Sequence, residues 1–321
     1  MKQIERITLI YNPTAGTLRR APELVYRLVA ALEQQHLTVT LAPTKRAQHA
    51  TELAREAVRA QIDCVLVCGG DGTINEAAQA LVGSDTVLAV YPGGTANVLA
   101  KELKLPTEPE ALAVLIARQQ IRKISVGRAF KSGGKLNGKP GGNHNGDHNS
   151  NHNEDWQRYF LLMAGIGLDA TIVHNVDAQL KKRLGTGAYL AAGLDFLARL
   201  PLTPFSITFN GARHQSTFAV ISNAANYAAF FSLTPDAQLS EDHFKVCLFN
   251  SQSRLAYLGY ALLSTAGRHI HSPGVTYDAA QYISANSNDA ALVQLDGEVA
   301  GHLPMGFENV PEALWVVAPS E

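Results

Sequence analysis

Residues 64–82 read CVLVCGGDGTINEAAQALV and contain an apolar run, a glycine pair and a helical pattern, in that order. Residues 64–68 have the length and the unbroken apolar character of a strand that is buried on both faces. Gly69 and Gly70 end this strand, and residues 74–82 repeat their apolar side chains at helical spacing. A strand, a glycine turn and a helix are typical of one unit of a parallel α/β fold.

The same alternation continues on both sides of this stretch. Short apolar runs predict further strands at residues 6–10, 37–41 and 87–91. Helical periods lie between and after them, at residues 23–35, 47–60, 97–103 and 109–118. Repeated strand-helix units predict an N-terminal, Rossmann-like α/β domain whose parallel sheet is covered on both faces.

The pattern changes after residue 121. Predicted strands follow at shorter spacing, at residues 121–130, 159–163, 205–209, 217–222 and 244–250, and helical stretches occur at 170–180 and 187–200. We therefore predict a first domain over residues 1–124 and a second, β-rich domain over residues 125–309. The last apolar stretch, residues 314–318 within a segment 310–321, can return to either domain.

Composition limits the class of protein. The chain has 321 residues, 46% of them hydrophobic and 17% charged, which suits about two domains with full cores. A net charge of -1 argues against nucleic acid as a partner bound through bulk charge and leaves a local basic patch open. Neither a spanning apolar run nor a signal peptide is recognisable. Three cysteines, with Cys64 and Cys68 roughly 13 Å apart along one strand, favour reduced core thiols and a cytoplasmic location.

Residues 131–155 form a low-complexity insert, KSGGKLNGKPGGNHNGDHNSNHNED. Gly, Asn and Ser fill it without apolar periodicity, so we predict a disordered loop between two strands. His144, His148 and His152 are spaced by four, which aligns metal ligands only on a helix. Because Gly and Asn oppose a helix, we expect adventitious metal binding or none.

The loop after residue 68 has the character of a phosphate site. Glycines let the backbone approach a ligand, and the start of the following helix favours an anion. Asp71 would repel a bare phosphate, but Mg²⁺ bound with nucleotide phosphates resolves that repulsion. The alternative is a glycine turn in which Asp71 only caps the helix.

Two more loops follow predicted strands, NPTAG at residues 12–16 and PGGTAN at residues 92–97. Loops at the carboxyl ends of parallel strands are where an α/β sheet binds ligands. The dinucleotide pattern G-x-G-x-x-G and the Walker pattern G-x-x-x-x-G-K-[ST] are both absent from the chain. The sequence therefore predicts a phosphate site of neither common type.

Five motifs occur in a fixed order: NPTAG, GGDGTINE, GGTAN, AGIGLDA at residues 164–170 and LDGE at residues 295–298. This set resembles the diacylglycerol kinase catalytic-domain family, which includes bacterial soluble lipid kinases and sphingosine and ceramide kinases. The resemblance runs from about residue 6 to residue 318, apart from the insert. GGDGT alone is weak evidence for this family, since NAD kinases and phosphofructokinases have a similar motif. The ordered set of five motifs is specific to it.

The resemblance implies an ATP- and Mg²⁺-dependent lipid kinase, with a nucleotide domain, a C-terminal β-sandwich and an active site between them. Thr44 matches a family position that contacts nucleotide, and its alternative is a helix cap. The residues expected to bind nucleotide are Asn12, Gly16, Thr44, Gly69, Gly70, Asp71, Gly72, Thr73, Ile74, Asn75, Glu76, Gly94, Thr95 and Asn97.

The family also implies a structural Mg²⁺ in the second domain. Asp242 would supply a carboxylate to it, and Leu239 and Phe244 would supply backbone carbonyls, while Asp71 would serve the nucleotide's magnesium. His243 stands where the family usually has Gly, and Val98 replaces an Asp found in many members.

The stretch Asp296-Gly297-Glu298 predicts a tight turn carrying two acids. Phosphoryl transfer to an alcohol needs a carboxylate that orients the hydroxyl and accepts its proton. A solvated β-turn is the alternative, and the resemblance favours the catalytic role. Glu298 is our first candidate for the base because of its longer reach, and Asp296 is the second.

The partner implied by the resemblance is a lipid at the membrane surface, reached by peripheral association; a homodimer is left open. Lys181, Lys182 and Arg183 fit either a solvated helix end or a contact with anionic headgroups. Phe230 and Phe231 fit either a core or a lipid pocket. A kinase of a soluble acceptor such as NAD, and a non-catalytic lipid-binding protein, are the rival functions.

Overall fold

The computed structural model describes residues 3–94, 96–131, 156–167, 202–225 and 232–319. Four parallel strands begin the fold, in the order β2-β1-β3-β4 across the sheet. They are β1 (Arg6–Tyr11), β2 (Thr38–Pro43), β3 (Cys64–Gly69) and β4 (Val87–Pro92). The helices are α1 (Gly16–Arg20), α2 (Glu23–Gln34), α3 (His49–Arg59), α4 (Asp71–Leu81), α5 (Val98–Glu102) and α6 (Pro109–Ala117).

The parallel sheet has a hydrophobic core on each face, as the apolar strands predicted. Ala50, Ala54 and Ala57 of α3 pack against one face, together with residues of α4 and α5. Leu28 of α2 and Leu112 of α6 pack against the other face. Every residue of β3 is buried, and Cys64 and Cys68 are free thiols, so both predictions about this strand are confirmed.

The second part of the chain is mostly antiparallel. Its first strands are β5 (Ile121–Phe130), β6 (Gln157–Phe160), β7 (Met163–Gly167), β8 (Phe205–Phe209), β9 (Ala212–Ser216) and β10 (Phe218–Ser222). They are followed by β11 (Phe244–Phe249), α7 (Arg254–Ser264) and a 3-10 helix (Arg268–His271). The chain ends with β12 (Val275–Ala280), β13 (Tyr282–Asn286), β14 (Leu292–Leu295), β15 (Glu298–His302) and β16 (Met305–Val317).

Two antiparallel layers form a β-sandwich in this part. One layer has the order β12-β11-β10-β7-β14-β15. The other contains β16, β13, β8 and β9. Side chains such as Ile207, Ile283 and Phe307 from this layer share a core with Ile166 and Val246 from the first. The predicted class, a parallel α/β sheet plus a β-sandwich, is confirmed.

Strand β16 connects the two parts. It pairs with β5 and β13 in antiparallel fashion and with β4 in parallel, through Val316 and Leu88. The pairing with β5 shifts register between Val310 and Leu314. The sequence left open which domain residues 314–318 would join, and the structure seats them beside β4, at the edge of the parallel sheet.

One strand prediction is wrong. Residues 159–163 were expected to form a single strand, but the structure breaks it into β6 and β7 at Leu161 and Leu162. The physical reason is that the N–H groups of these two residues donate to a carboxylate instead of a neighbouring strand. The insert 131–155 and the predicted helices at 170–180 and 187–200 fall wholly or almost wholly outside the described residues.

Candidate active site

The loops after β3 and β4 lie directly against each other. The N–H of Gly93 donates to the carbonyl of Gly69 at 3.0 Å. A Cβ placed on Gly94 would lie 2.6 Å from the Cα of Gly70, which is closer than a real Cβ contact. We call Gly69, Gly70, Gly93 and Gly94 the glycine cradle. A Cβ on Gly93 or Gly94 would collide with the backbone of Gly69 or Gly70, so the second loop needs glycine at both positions.

The loop after β1 joins the same edge of the sheet. Asn12 donates its N–H to the carbonyl of Cys68, and the N–H of Thr17, in α1, donates to Gly93. The side-chain oxygen of Asn12 accepts from the N–H (3.0 Å) and hydroxyl (2.8 Å) of Thr14, so it shapes its own loop. Gly16 begins α1. All three strand-end loops therefore meet at one place.

Asp71 connects two of the helices at this edge. It is the first residue of α4, and its Oδ1 accepts the N–H of Val98 at 2.8 Å. The carboxylate therefore serves the start of α5, not the start of α4 as the helix-cap alternative supposed. Gly70 precedes α4 and has no side chain to cap it, which leaves the first turn of α4 facing the cradle without a side-chain cap.

Asn97 braces the loop after β4. Its Oδ1 accepts the N–H of Gly94 at 2.8 Å, and its Nδ2 donates to the carbonyl of the same residue at 3.0 Å. Asn97 itself has a φ of 48°, in the left-handed region that Asn tolerates. Thr95 lies outside the described residues.

Three of the expected nucleotide residues point into the domain's own structure. Glu76 accepts the N–H of Ala50 through Oε2 (3.3 Å), and its carbonyl accepts the hydroxyl of Thr51 (2.7 Å), so it caps the start of α3. Ile74 is buried in the core beside α3. Thr73 lies beneath Gly69, where an added Cβ would come within 2.9 Å of the Thr73 Cβ.

Thr44 lies just beyond β2 and is half-buried. Its N–H donates to the carbonyl of Tyr11 at 2.8 Å. The helix-cap alternative for its side chain is wrong, because α3 begins at His49 and its N-cap position is Gln48, not Thr44.

The turn between β14 and β15 brings the two acids to α4. Leu295 pairs with Glu298, and Asp296 and Gly297 have φ values of 48° and 83°. These angles belong to the two-residue hairpin turn that Asp-Gly favours, so the predicted tight turn is confirmed. An added Cβ on Gly72 would lie 2.9 Å from Oε1 of Glu298, so this carboxylate covers the first turn of α4.

Asp296 is enclosed by hydrogen-bond donors. Its Oδ1 accepts the N–H groups of Leu162 and Met163, each at 2.9 Å. Its Oδ2 accepts the N–H of Leu161 (2.6 Å) and the Nδ2 of Asn75 (2.7 Å). Burial raises the pKa of the Asp296 carboxyl, and the four donors oppose that rise by stabilising the carboxylate.

Glu298 is placed very differently, with a side chain that is 45% exposed. Its Oε2 forms an ion pair with Arg158 of β6. Arg158 also donates to Oδ1 of Asn75 at 3.2 Å, and Asn75 is only 2% exposed. An Arg, a Glu and the Asn75–Asp296 pair therefore stand as one connected group beside the cradle.

Sequence reasoning missed Arg158. It lies directly after the low-complexity insert and belongs to none of the five motifs. The available signal was a cation in the short stretch before the predicted strand at 159–163, which by itself has little specificity.

The predicted structural-metal residues lie at the start of β11. The carbonyl of Leu239 accepts the N–H of Ser125 at 2.7 Å, and Phe244 begins the strand. The Asp242 side chain is 78% exposed, and the adjacent His243 lowers its pKa through a hydrogen bond. Among the described residues no cluster of three or more His, Cys, Asp or Glu could hold a metal ion. The predicted magnesium site has one carboxylate and two backbone carbonyls, which this finding does not test, so it stays a prediction.

Two family models match this chain. Residues 6–129 match the family model described as the diacylglycerol kinase catalytic domain. Residues 163–318 match the model described as the YegS C-terminal NAD kinase beta sandwich-like domain. The two matches together span both parts of the fold.

Individual proteins are similar to this chain along nearly its whole length. A diacylglycerol kinase of Bacillus subtilis (strain 168) is 28% identical over 323 residues, which cover 99% of this chain and 98% of that protein. A diacylglycerol kinase of Staphylococcus carnosus (strain TM300) is 26% identical and covers 99% and 96%. A crystal structure of a diacylglycerol kinase from Bacillus anthracis str. Sterne has a TM-score of 0.73 at 22% identity, covering 99% of each chain, which shows the shared fold.

Proposed function

Because the chain belongs to the diacylglycerol kinase catalytic-domain family, we propose that it is an ATP- and Mg²⁺-dependent lipid kinase. Its acceptor is a hydroxyl group of a membrane lipid such as diacylglycerol. One observation carries the proposal: the half-exposed Glu298 carboxylate covers the first turn of α4, beside the glycine cradle. An acceptor hydroxyl at Glu298 and a phosphate at the cradle would be neighbours.

The cradle suits the phosphates of a nucleotide. Its glycines leave no Cβ between the two loops, and the uncapped first turn of α4 presents N–H groups and the positive end of the helix dipole. The Oδ1 of Asp71 already accepts the N–H of Val98, so the other carboxylate oxygen would face the metal. When bound, Mg²⁺ would neutralise phosphate charge beside this carboxylate.

The two acids of the turn take different roles in this proposal. Glu298 orients the acceptor hydroxyl and accepts its proton, because its oxygens reach an open surface. Arg158 holds Glu298 in position and places a cation where negative charge develops during phosphoryl transfer. Asp296 is a positioning residue, because all its acceptor sites are engaged by Asn75 and by the strand break between β6 and β7.

The structural magnesium belongs to the proposal as a separate site. Asp242 would supply the carboxylate, with carbonyls of Leu239 and Phe244. Lys245 lies 3.6 Å from Glu241 and 3.4 Å from Asp236, so protein cations already balance part of the surrounding acidic charge.

A lipid acceptor is proposed from the names of the relatives. In the described part of the chain no helix is long and apolar enough to cross a membrane. Access to the lipid would then be peripheral, and Lys181, Lys182 and Arg183, outside the described residues, are candidates for headgroup contact.

The test is transfer of radiolabel from ATP to a panel of lipids, with NAD as the soluble acceptor. We expect Mg²⁺-dependent label in a lipid that has a free hydroxyl and none in NAD. Glu298→Gln is the matched control, since it removes the proton acceptor and, besides that, only the partly exposed ion pair with Arg158. Label in NAD alone would establish the soluble-acceptor function, and no label in any acceptor would favour the non-catalytic one.

A further inference from the structure

Helix α7 has apolar side chains on two opposite faces. Tyr257 and Tyr260 are 4% and 8% exposed and pack onto the outer face of the β12-β11-β10-β7 layer. On the other side, Leu255 and Leu262 are 78% and 74% exposed. A helix that is apolar all round normally has an apolar partner on each side.

The exposed leucines form one continuous row. Leu255, Leu258, Leu262 and Leu263 are spaced at three, four and one residues, which places them on one side of an α-helix. Leu258 and Leu263 are 37% and 38% exposed at its margins. We call these four residues the leucine stripe. They are half of the eight large hydrophobic residues found exposed in the described chain, gathered on one helix of 11 residues.

The sequence around the stripe carries cations and no acid. Between Asp242 and Asp278 the sequence contains no Asp or Glu. Arg254 precedes the stripe and Arg268 follows it, and both are exposed. Asp236, on the loop that contacts Gly267, is ion-paired with Lys245. An apolar row with a cation at each end is complementary to an anionic lipid surface, with leucines among acyl chains and arginines at the headgroups.

The stripe is connected to the candidate active site. The carbonyl of Ser264, at the end of α7, accepts the N–H of Ser232, whose hydroxyl donates to the carbonyl of Ala225. The N–H of Ala225 donates to Glu102 in α5 at 3.0 Å. Helix α5 starts at Val98, which donates to Asp71. The end of the stripe is thus a few hydrogen bonds away from the cradle.

We propose that the leucine stripe is the surface by which this protein docks on an anionic lipid bilayer, lying in the interface without crossing it. The proposal rests on the lipid-kinase function, since an enzyme with a membrane-resident acceptor has to work at a bilayer surface. An 11-residue helix spans about 16 Å, too short to cross the hydrocarbon core.

The test measures partition onto vesicles of phosphatidylcholine, with and without phosphatidylglycerol. Leu255→Ser/Leu262→Ser changes two side chains that support no core, so the fold should be retained. We expect its partition onto phosphatidylglycerol vesicles to fall roughly tenfold or more. Tyr26→Ser, at an exposed residue of α2, is the matched control and should bind like wild type. Arg268→Gln should lower the preference for phosphatidylglycerol about fivefold.

Unchanged partition of the double variant would overturn the proposal, as would a wild-type protein that binds neither vesicle. If the double variant turns a dimer into a monomer and still binds vesicles, the stripe is an interface between copies. Binding is measured without turnover, so it does not depend on activity. A double variant that phosphorylates a dispersed short-chain diacylglycerol normally but fails on vesicles supports the docking surface. If the wild-type protein phosphorylates no lipid at all, the proposed function is wrong, whatever the result of the binding measurement.

Discussion

The sharpest contrast that the structure offers is between Asp296→Asn and Glu298→Gln. Both changes replace a carboxylate by an amide of almost the same shape, two residues apart on one turn. Asn tolerates the left-handed φ of 48° at position 296, so backbone strain does not enter the comparison. Any difference between the variants then reports the surroundings of the two side chains.

Asp296→Asn should destabilise the fold strongly. Each carboxylate oxygen accepts two N–H donors, so an amide NH₂ must face two of them whichever way it turns. Two hydrogen bonds to a charged acceptor are lost, at about 1.5–3 kcal/mol each, or about 3–6 kcal/mol together. For a chain of this size the melting temperature should fall on the order of 10 °C.

Glu298→Gln should leave stability almost unchanged. Its side chain is 45% exposed, and an ion pair at such a position contributes about 1 kcal/mol or less. Its kcat should nevertheless fall by about 10²–10⁴-fold, with little change in apparent ATP affinity, because a proton acceptor acts in the transition state. Neither variant should change the Mg²⁺ requirement.

Thermal unfolding and steady-state kinetics on both variants test the roles assigned to Asp296 and Glu298. If Asp296→Asn melts close to wild type, the four-donor description of that carboxylate is wrong. If Glu298→Gln retains more than about a tenth of the wild-type kcat, above the range for loss of a general base, Glu298 is not the base. A higher Mg²⁺ requirement in Asp296→Asn would assign that residue to the metal.

Three further predictions follow from other parts of the molecule. Asp71→Asn can keep its bond to Val98 through the amide oxygen, so circular dichroism should show a folded protein while turnover with Mg²⁺ and ATP is lost; full activity would remove the metal role. Deleting residues 133–153 should leave the melting temperature and activity nearly unchanged, because Lys131 and Trp156 already bond at the base of the hairpin and three residues suffice to connect them; a loss of several degrees would contradict this. Burial raises the pKa of all three thiols, that of Cys68 to about 12, so a thiol reagent at mildly alkaline pH should label Cys64, Cys68 and Cys247 only after denaturation; labelling of the native protein would show an open core.

The sequence alone determined the features that depend on neighbouring residues. The strand at 64–68, the glycine turn and the helix after it follow from apolar periodicity and from the backbone freedom of Gly, both of which act over a few residues. Asp296-Gly297 predicted its two-residue turn for the same reason. The meeting of the strand-end loops also followed, since parallel strands bring their carboxyl ends to one edge.

Only the tertiary structure decided which distant groups meet. Asn75 and Asp296 are 221 residues apart in the chain, yet they form one hydrogen bond that joins the two parts of the fold. Glu76 belongs to the motif GGDGTINE but caps α3, and Arg158 belongs to no motif but pairs with Glu298. The break between β6 and β7 has the same origin, because it depends on a carboxylate more than a hundred residues away. The sequence shows which donors and acceptors a polar side chain has. Its hydrogen-bond partner depends on how separate elements pack against each other, and the pattern of neighbouring residues does not contain that information.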